Sequence, residues 1–262
     1  MLKQTLLILI LIFSIISCGK NEIKNNKLLE NFNQNWVKLL QTEKKYFSII
    51  ELDLEKSKLS FWWVDVNKIS DFEKFNKFYT NYFLEKFTKN DDKNIIATIN
   101  WQFFTNIKKK NTALSFPLKS NWKIFTDHID NKIPKRTFII DEDGDAKILE
   151  WYRKEYLENE NYKELIVAFT PEVRARKEDK IWRTYIWLKS SKKIVFFIAQ
   201  NKNQKEMNKI ISDYWIKEEN IIMMDWWPSS QFSFKDKDNF KQYYWWWEVP
   251  QVFIIYSNIW NK

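Results

Sequence analysis

The chain has two glycines, Gly19 and Gly144, in 262 residues, and it has fifteen tryptophans. Average usage of about 7% glycine would supply roughly 18. Glycine enters left-handed backbone at no steric cost, and tight turns and helix ends depend on it. A domain of this length has more such corners than two glycines can turn. Together the two residue types number seventeen, close to the glycine count expected alone.

The rest of the composition narrows the chemistry. This length fits one large domain or at most two small ones. A single cysteine excludes a disulfide framework and a cysteine-based zinc ribbon. A single histidine excludes His-rich metal sites and the paired-His zinc motif. No metal and no cofactor are therefore expected. The net charge of +9 comes from 38 lysines and only 5 arginines against 34 acidic residues. It reads as a lysine-solvated surface. No stretch sets lysines among evenly spaced aromatics, and no nucleic-acid module appears, so no nucleic-acid partner is expected.

The N-terminus carries Lys3 and then an apolar run from Leu6 to Ile16, broken only by Ser14. This is the layout of a secretory signal, too short for a membrane span of about 20 residues. It ends in Ile15-Ile16-Ser17-Cys18-Gly19, which resembles the lipobox of bacterial lipoproteins. Residues 1–17 are expected to be a signal peptide and 18–26 a polar tether, with Cys18 the lipidated mature N-terminus. The protein would then sit outside the cytoplasmic membrane, held by acyl chains.

Residues 27–262 read as one domain with no dividing linker and no internal repeat. Ser70 and Glu73 form a capping-box pattern, and Phe72, Phe75, Tyr79, Tyr82, Phe83 and Phe87 recur at helical spacing. This predicts a helix over 71–88. Short apolar runs at 94–99, 194–199 and 221–224 read as buried strands. Asn203 with Glu206 opens a helix over 205–214. Strands are also expected at 46–54, 136–141, 165–169, 182–188 and 252–256. Strand, helix and strand between 194 and 224 read as a βαβ unit. The expected fold class is therefore α+β (or α/β), with a mixed, partly parallel β-sheet packed against helices.

Three segments join a strand to a polar cluster: Thr98-Ile99-Asn100-Trp101-Gln102-Phe103-Phe104, Trp182-Arg183-Thr184-Tyr185-Ile186-Trp187-Leu188, and Met224-Asp225-Trp226-Trp227-Pro228-Ser229-Ser230-Gln231-Phe232. In this order they resemble the phosphodiester glycosidase family, which carries Asn-Gly-x-Phe-Phe, Arg-Thr-x-x-Gly and Asp-Gly-Gly-x-Ser-Ser segments. Ser115 to Lys123 resembles the family's stretch ending in Asn-Gly-Lys, and Glu248-Val249-Pro250 its C-terminal Val-Pro. The resemblance spans about residues 60–257. It implies hydrolysis of a sugar-1-phosphodiester, with a phosphodiester-linked saccharide or envelope glycan as partner. Wherever the family has glycine, this chain has tryptophan: at 101, 122, 182, 187, 226 and 227. Some bacterial lineages read UGA as glycine. A gene of that kind, translated with UGA as tryptophan, would give this pattern. The expectation is that most of the tryptophans are glycine in the cell.

The resemblance assigns the chemistry. Asp225 would be the working carboxylate. Arg183 would grip the phosphate with its planar fork, and Asn100 would complete the catalytic set. Thr184, Ser229, Ser230 and Gln102 would bind substrate. Two rivals remain open at this level. One is a non-catalytic glycan-binding surface lipoprotein. The other is a polyanion-binding surface protein whose affinity falls steeply with salt.

Overall fold

The computed structural model describes residues 28–34, 37–42, 47–65, 75–77, 79–89, 95–100, 103–104, 111–129, 135–171, 177–226, 229–236, 239–243 and 247–257. The signal and tether segments, Cys18, Gln102, Trp101 and Trp227 lie outside the described residues. In chain order the first elements are β1 (Leu28–Gln34), β2 (Val37–Thr42), β3 (Phe47–Asp53), β4 (Ser57–Asp65), β5 (Phe75–Asn76) and helix α1 (Thr80–Lys89). Then come β6 (Ile95–Ile99), β7 (Asn111–Thr112), β8 (Leu118–Ser120), β9 (Lys123–Thr126), β10 (Lys135–Asp141), β11 (Ala146–Leu149) and helix α2 (Glu155–Glu158). The rest are β12 (Tyr162–Phe169), β13 (Ile181–Ser190), β14 (Lys193–Lys202), helix α3 (Gln204–Asp213), a 3-10 turn (Glu218–Asn220), β15 (Ile221–Trp226), β16 (Phe232–Asp236), β17 (Asn239–Tyr243) and β18 (Gln251–Ser257).

The strands form two sheets. The larger runs β1-β2-β3-β14-β13-β15-β12-β10-β11, with β8 and β9 attached beside β12. The smaller runs β17-β16-β6-β18-β4-β5-β7. Side-chain alternation shows how they stack. On β14, Ile194, Phe196 and Ile198 share one cluster with Phe253 and Ile255 of β18, while Val195, Phe197 and Ala199 turn the other way. Phe196 meets Phe253 across the gap with ring centroids 5.1 Å apart. The inner faces of the two sheets thus share one core. Met207 of α3 and Leu157 of α2 cover the outer face of the larger sheet. Phe83 and Leu84 of α1 cover the outer face of the smaller sheet, over Ile95, Val252 and Ile254. Each fully buried side chain of this size contributes about 1.5–3 kcal/mol.

The layering corrects the expected fold class. Every strand pairing among the described residues is antiparallel, so the chain is β-rich and not α+β with a partly parallel sheet. The continuous apolar runs come from burial on both faces, which a doubly covered antiparallel sheet produces as readily as a parallel one. The expected βαβ unit has its three elements, β14, α3 and β15. The antiparallel β13 sits between the two strands and pairs with both. The tight β13–β14 turn fills the place beside β14 first, so the crossover lands one strand further on.

The helix expected over 71–88 is also corrected. It begins at Thr80, and Phe75–Asn76 pair as a strand with Val64 and Asp65 on one side and with Asn111 and Thr112 on the other. Aromatics suit a half-buried pleat as well as a helix face. The Ser70–Glu73 pattern lies outside the described residues. The Asn203–Glu206 pattern is present as a full capping box.

Two corners need left-handed backbone and have tryptophan there. Ser120 pairs with Lys123, so β8 and β9 are joined by a two-residue loop, Asn121-Trp122. Their φ angles are 52° and 64°. Positive φ at both central residues marks the type I′ hairpin turn, whose preferred pair is Asn-Gly. The second corner ends α3. Trp215 has φ 57°, its N–H donates to the Ser212 carbonyl at 3.0 Å, and the Ile216 N–H donates to the Ile211 carbonyl at 3.1 Å. This pair of bonds is a Schellman motif with Trp215 at the position glycine usually takes. The side chain of Trp215 is 90% exposed, so no packing holds it there.

Candidate functional site

The strand β6 is buried throughout and apolar but for Thr98, and it delivers Asn100 just beyond its end. The Asn100 N–H donates to the Gln231 carbonyl at 3.0 Å. Asp225 lies near the end of β15 in the other sheet. A bulge sits beside it: Thr184 pairs with Asp225 but Tyr185 pairs with Met223, leaving Met224 as the extra residue. A bulge of this kind re-aims the following side chain. Asn100 Nδ2 donates to Asp225 Oδ2 at 3.0 Å, so the bond links the two sheets. Ser229 Oγ donates to the same oxygen at 2.7 Å. Asp225 is 1% exposed, and Asn100 and Thr184 are fully buried.

Three buried polar atoms of the residues singled out above have no hydrogen-bond partner among the described residues. They are Asn100 Oδ1, Thr184 Oγ1 and Ser230 Oγ. Thr184 shares the inner face of β13 with Ile186 and Leu188 and lies directly across from Asp225. An unmet polar atom of this kind costs about 1–3 kcal/mol, and such groups are unusual in native proteins. Unmet polar atoms on Asn100 and Thr184, both tied to an oriented carboxylate, suit a ligand with hydroxyl or amide groups. The structure brings together Asp225, Asn100, Ser229 and Thr184, with Ser230 following Ser229 in the chain.

The contacts described for Arg183 lie on the other side of β13. Arg183 is fully buried on the opposite face of β13, beside Tyr185. Its Nε donates to the Lys202 carbonyl at 3.3 Å, and its Nη1 lies 3.7 Å from Met223 Sδ. Met223 and Tyr185 belong to the cluster under α3. Burial pushes the Tyr185 hydroxyl up to about 12, so it stays protonated at neutral pH. The alternation of the strand fixes this outcome, since adjacent Arg183 and Thr184 must point to opposite sides.

Sequence reasoning quoted Gln231 but gave it no role. It is fully buried. Its signal was its place between the Ser229-Ser230 pair and the alternating Phe232 and Phe234, where an amide must find partners indoors.

No protein-family model matches this chain, and no curated protein matches its sequence. Among solved structures it is similar to the catalytic domain of zebrafish N-acetylglucosamine-1-phosphodiester alpha-N-acetylglucosaminidase, auto-inhibited by its pro-peptide. The identity is 13% and the TM-score 0.52, over 89% of this chain and 87% of that one. A hypothetical protein from Synechocystis matches at 7% identity and a TM-score of 0.49, over 86% of this chain and 61% of that one. The likeness is one of fold: the chain has the fold of a glycosidase catalytic domain.

Proposed function

We propose that the protein is a hydrolase of sugar-1-phosphodiesters, anchored by lipid at Cys18 outside the cytoplasmic membrane, with glycine in the cell at most of its printed tryptophans. The observation that carries the activity is the buried Asp225 carboxylate, held by Asn100 and Ser229 and paired across the sheet with Thr184, where Asn100 Oδ1 and Thr184 Oγ1 are unpartnered. The Asn100 carbonyl and the Thr184 and Ser230 hydroxyls read sugar hydroxyl or amide groups. Asp225 takes a proton from the attacking water or stabilises positive charge at the anomeric carbon. Water oxygen bonds to that carbon, the carbon–oxygen bond to phosphate breaks, and the phosphate leaves with the electron pair. A phosphate needs little protonation to leave. The glycosidase fold supports the reading, as does the order of the three motif segments.

Left-handed backbone supports the glycine assignment at Trp122, a motif position, and at Trp215, which lies outside the motifs. The membrane anchor rests on the lipobox pattern alone.

The assay is free-sugar release from a panel of sugar-1-phosphate diesters, with a simple glycoside as control. The protein with glycine at 101, 122, 182, 187, 226 and 227 should release sugar from at least one diester. Asp225→Asn keeps the shape, removes the charge, and should cost roughly 100-fold. A folded glycine-bearing protein that binds saccharide but releases none would establish the second reading, a glycan-binding surface lipoprotein. The contacts of Arg183 on the other side of β13 are the observation that favours that reading.

A further inference from the structure

We infer that Gln231 is the positioning residue of this site: it fixes both groups that hold the Asp225 carboxylate. The inference rests on the reading that Asp225 is the working group. The backbone carbonyl of Gln231 accepts from the Asn100 N–H at 3.0 Å. Its side-chain Nε2 donates to the Trp247 carbonyl and lies 3.5 Å from the Ser229 carbonyl. Its Oε1 accepts from the Thr80 N–H at 3.0 Å, at the first turn of α1. One residue thus sets Asn100 through its main chain and Ser229 through its side chain. It ties both to the helix that covers the smaller sheet and to the segment leading into β18.

The amide is suited to this because it offers an acceptor and donors in one plane. A carboxylate would keep the acceptor for Thr80 but would face the two carbonyls with negative charge. A thioether would lose all three contacts. Thr80 has separate support in the bond of its hydroxyl to Ser233 Oγ at 2.7 Å and the bond of Thr98 Oγ1 to its carbonyl at 2.9 Å. Loss of the helix anchor can therefore be separated from loss of the loop anchor.

The Ser229 hydroxyl on the carboxylate favours its charged form, so displacing Ser229 must raise the pH at which Asp225 takes a proton, while the main-chain bond to Asn100 stays. The test is an NMR titration of the full chain labelled at the aspartate carboxyl carbon, with the Asp225 signal assigned by Asp225→Asn. In Gln231→Met and Gln231→Leu, both uncharged, the Asp225 midpoint should rise by about 0.5–1 pH unit. Ser233→Ala, which loosens the same helix start without touching the loop, should leave the midpoint where it is. The acid limb of diester turnover should move with the titration in the Gln231 variants, whereas a merely weakened fold would lower its height alone. An unchanged midpoint in either folded variant overturns the proposal. Failure of both variants to fold also overturns it, by making Gln231 a stability residue. If the unaltered protein releases no sugar, the hydrolase reading falls while the titration still decides the role of Gln231.

Discussion

Trp215 offers a test of the glycine assignment that does not depend on activity. Its φ of 57° puts it in left-handed backbone, and its side chain is 90% exposed. An L residue other than glycine is disfavoured there by roughly 1–2 kcal/mol. The indole contributes little in return, because only a tenth of its surface is covered. Trp215→Gly should therefore stabilise the protein by about 1 kcal/mol, after allowing for the greater freedom of glycine in the unfolded chain. The decisive comparison is with Trp215→Ala, which removes the same indole but keeps the Cβ. Glycine should exceed alanine by about 1 kcal/mol, and lost indole contacts cancel between the two. In thermal melts this is a gap of about 2–4 °C for a chain of this size. At Trp122 the side chain is 48% exposed and Lys163 lies over its ring at 5.2 Å, so Trp122→Gly has a burial loss to offset. The gap between Trp122→Gly and Trp122→Ala should nevertheless persist. Urea unfolding of the four variants reads these differences directly. Alanine equal to or more stable than glycine at 215 would refute the argument, because the corner would then not need left-handed backbone.

Burial raises the Glu164 carboxyl from its ordinary value of 4.5 to about 7. The folded state therefore binds the proton more tightly than the unfolded chain, and stability should fall as pH rises from about 4.5 to about 7. Glu164→Gln should remove that slope and stabilise the protein at pH 8 by an amount on the order of 3 kcal/mol, measured by urea midpoints at pH 5 and pH 8. An unchanged slope would show that other groups set it. For the anchor, Cys18→Ser should release the protein from the membrane fraction or leave an uncleaved precursor. A processed, membrane-bound Cys18→Ser protein would refute lipidation.

The sequence located the core strands well because their apolar runs are long and buried on both faces, as at Ile194, Phe196 and Val195, Phe197. It misjudged their direction, since a run buried on both sides looks alike in either orientation. The strands it missed include β8, β9 and β11, of three or four residues, and also the longer β1, β2, β4, β16 and β17, in which polar residues interrupt the apolar ones. At the site, the resemblance singled out Asp225, Asn100 and Ser229, and the structure places Asn100 and Ser229 both within hydrogen-bond distance of Asp225. The placement of the Arg183 contacts on the other side of β13 was implicit in strand alternation, because Thr184 and Arg183 cannot share a face. The bulge at Met224 was not legible, since no residue type marks it. Nor were the bonds of Gln231, whose partners lie at positions as distant as Thr80.

The smaller sheet is assembled from remote parts of the chain. β18, the last described strand, lies between β4 and β6 and pairs with both. Until residues 251–257 arrive, β4, β5 and β7 have no connection through the sheet to β6, β16 and β17. Pairings this far apart close slowly, because a long loop must be ordered before any contact rewards it. A nascent chain short of β18 can build hairpins of the larger sheet, including β13 with β14, but leaves the platform under Asn100 without one of its two neighbours. Closure of the smaller sheet therefore waits for residues 251–257.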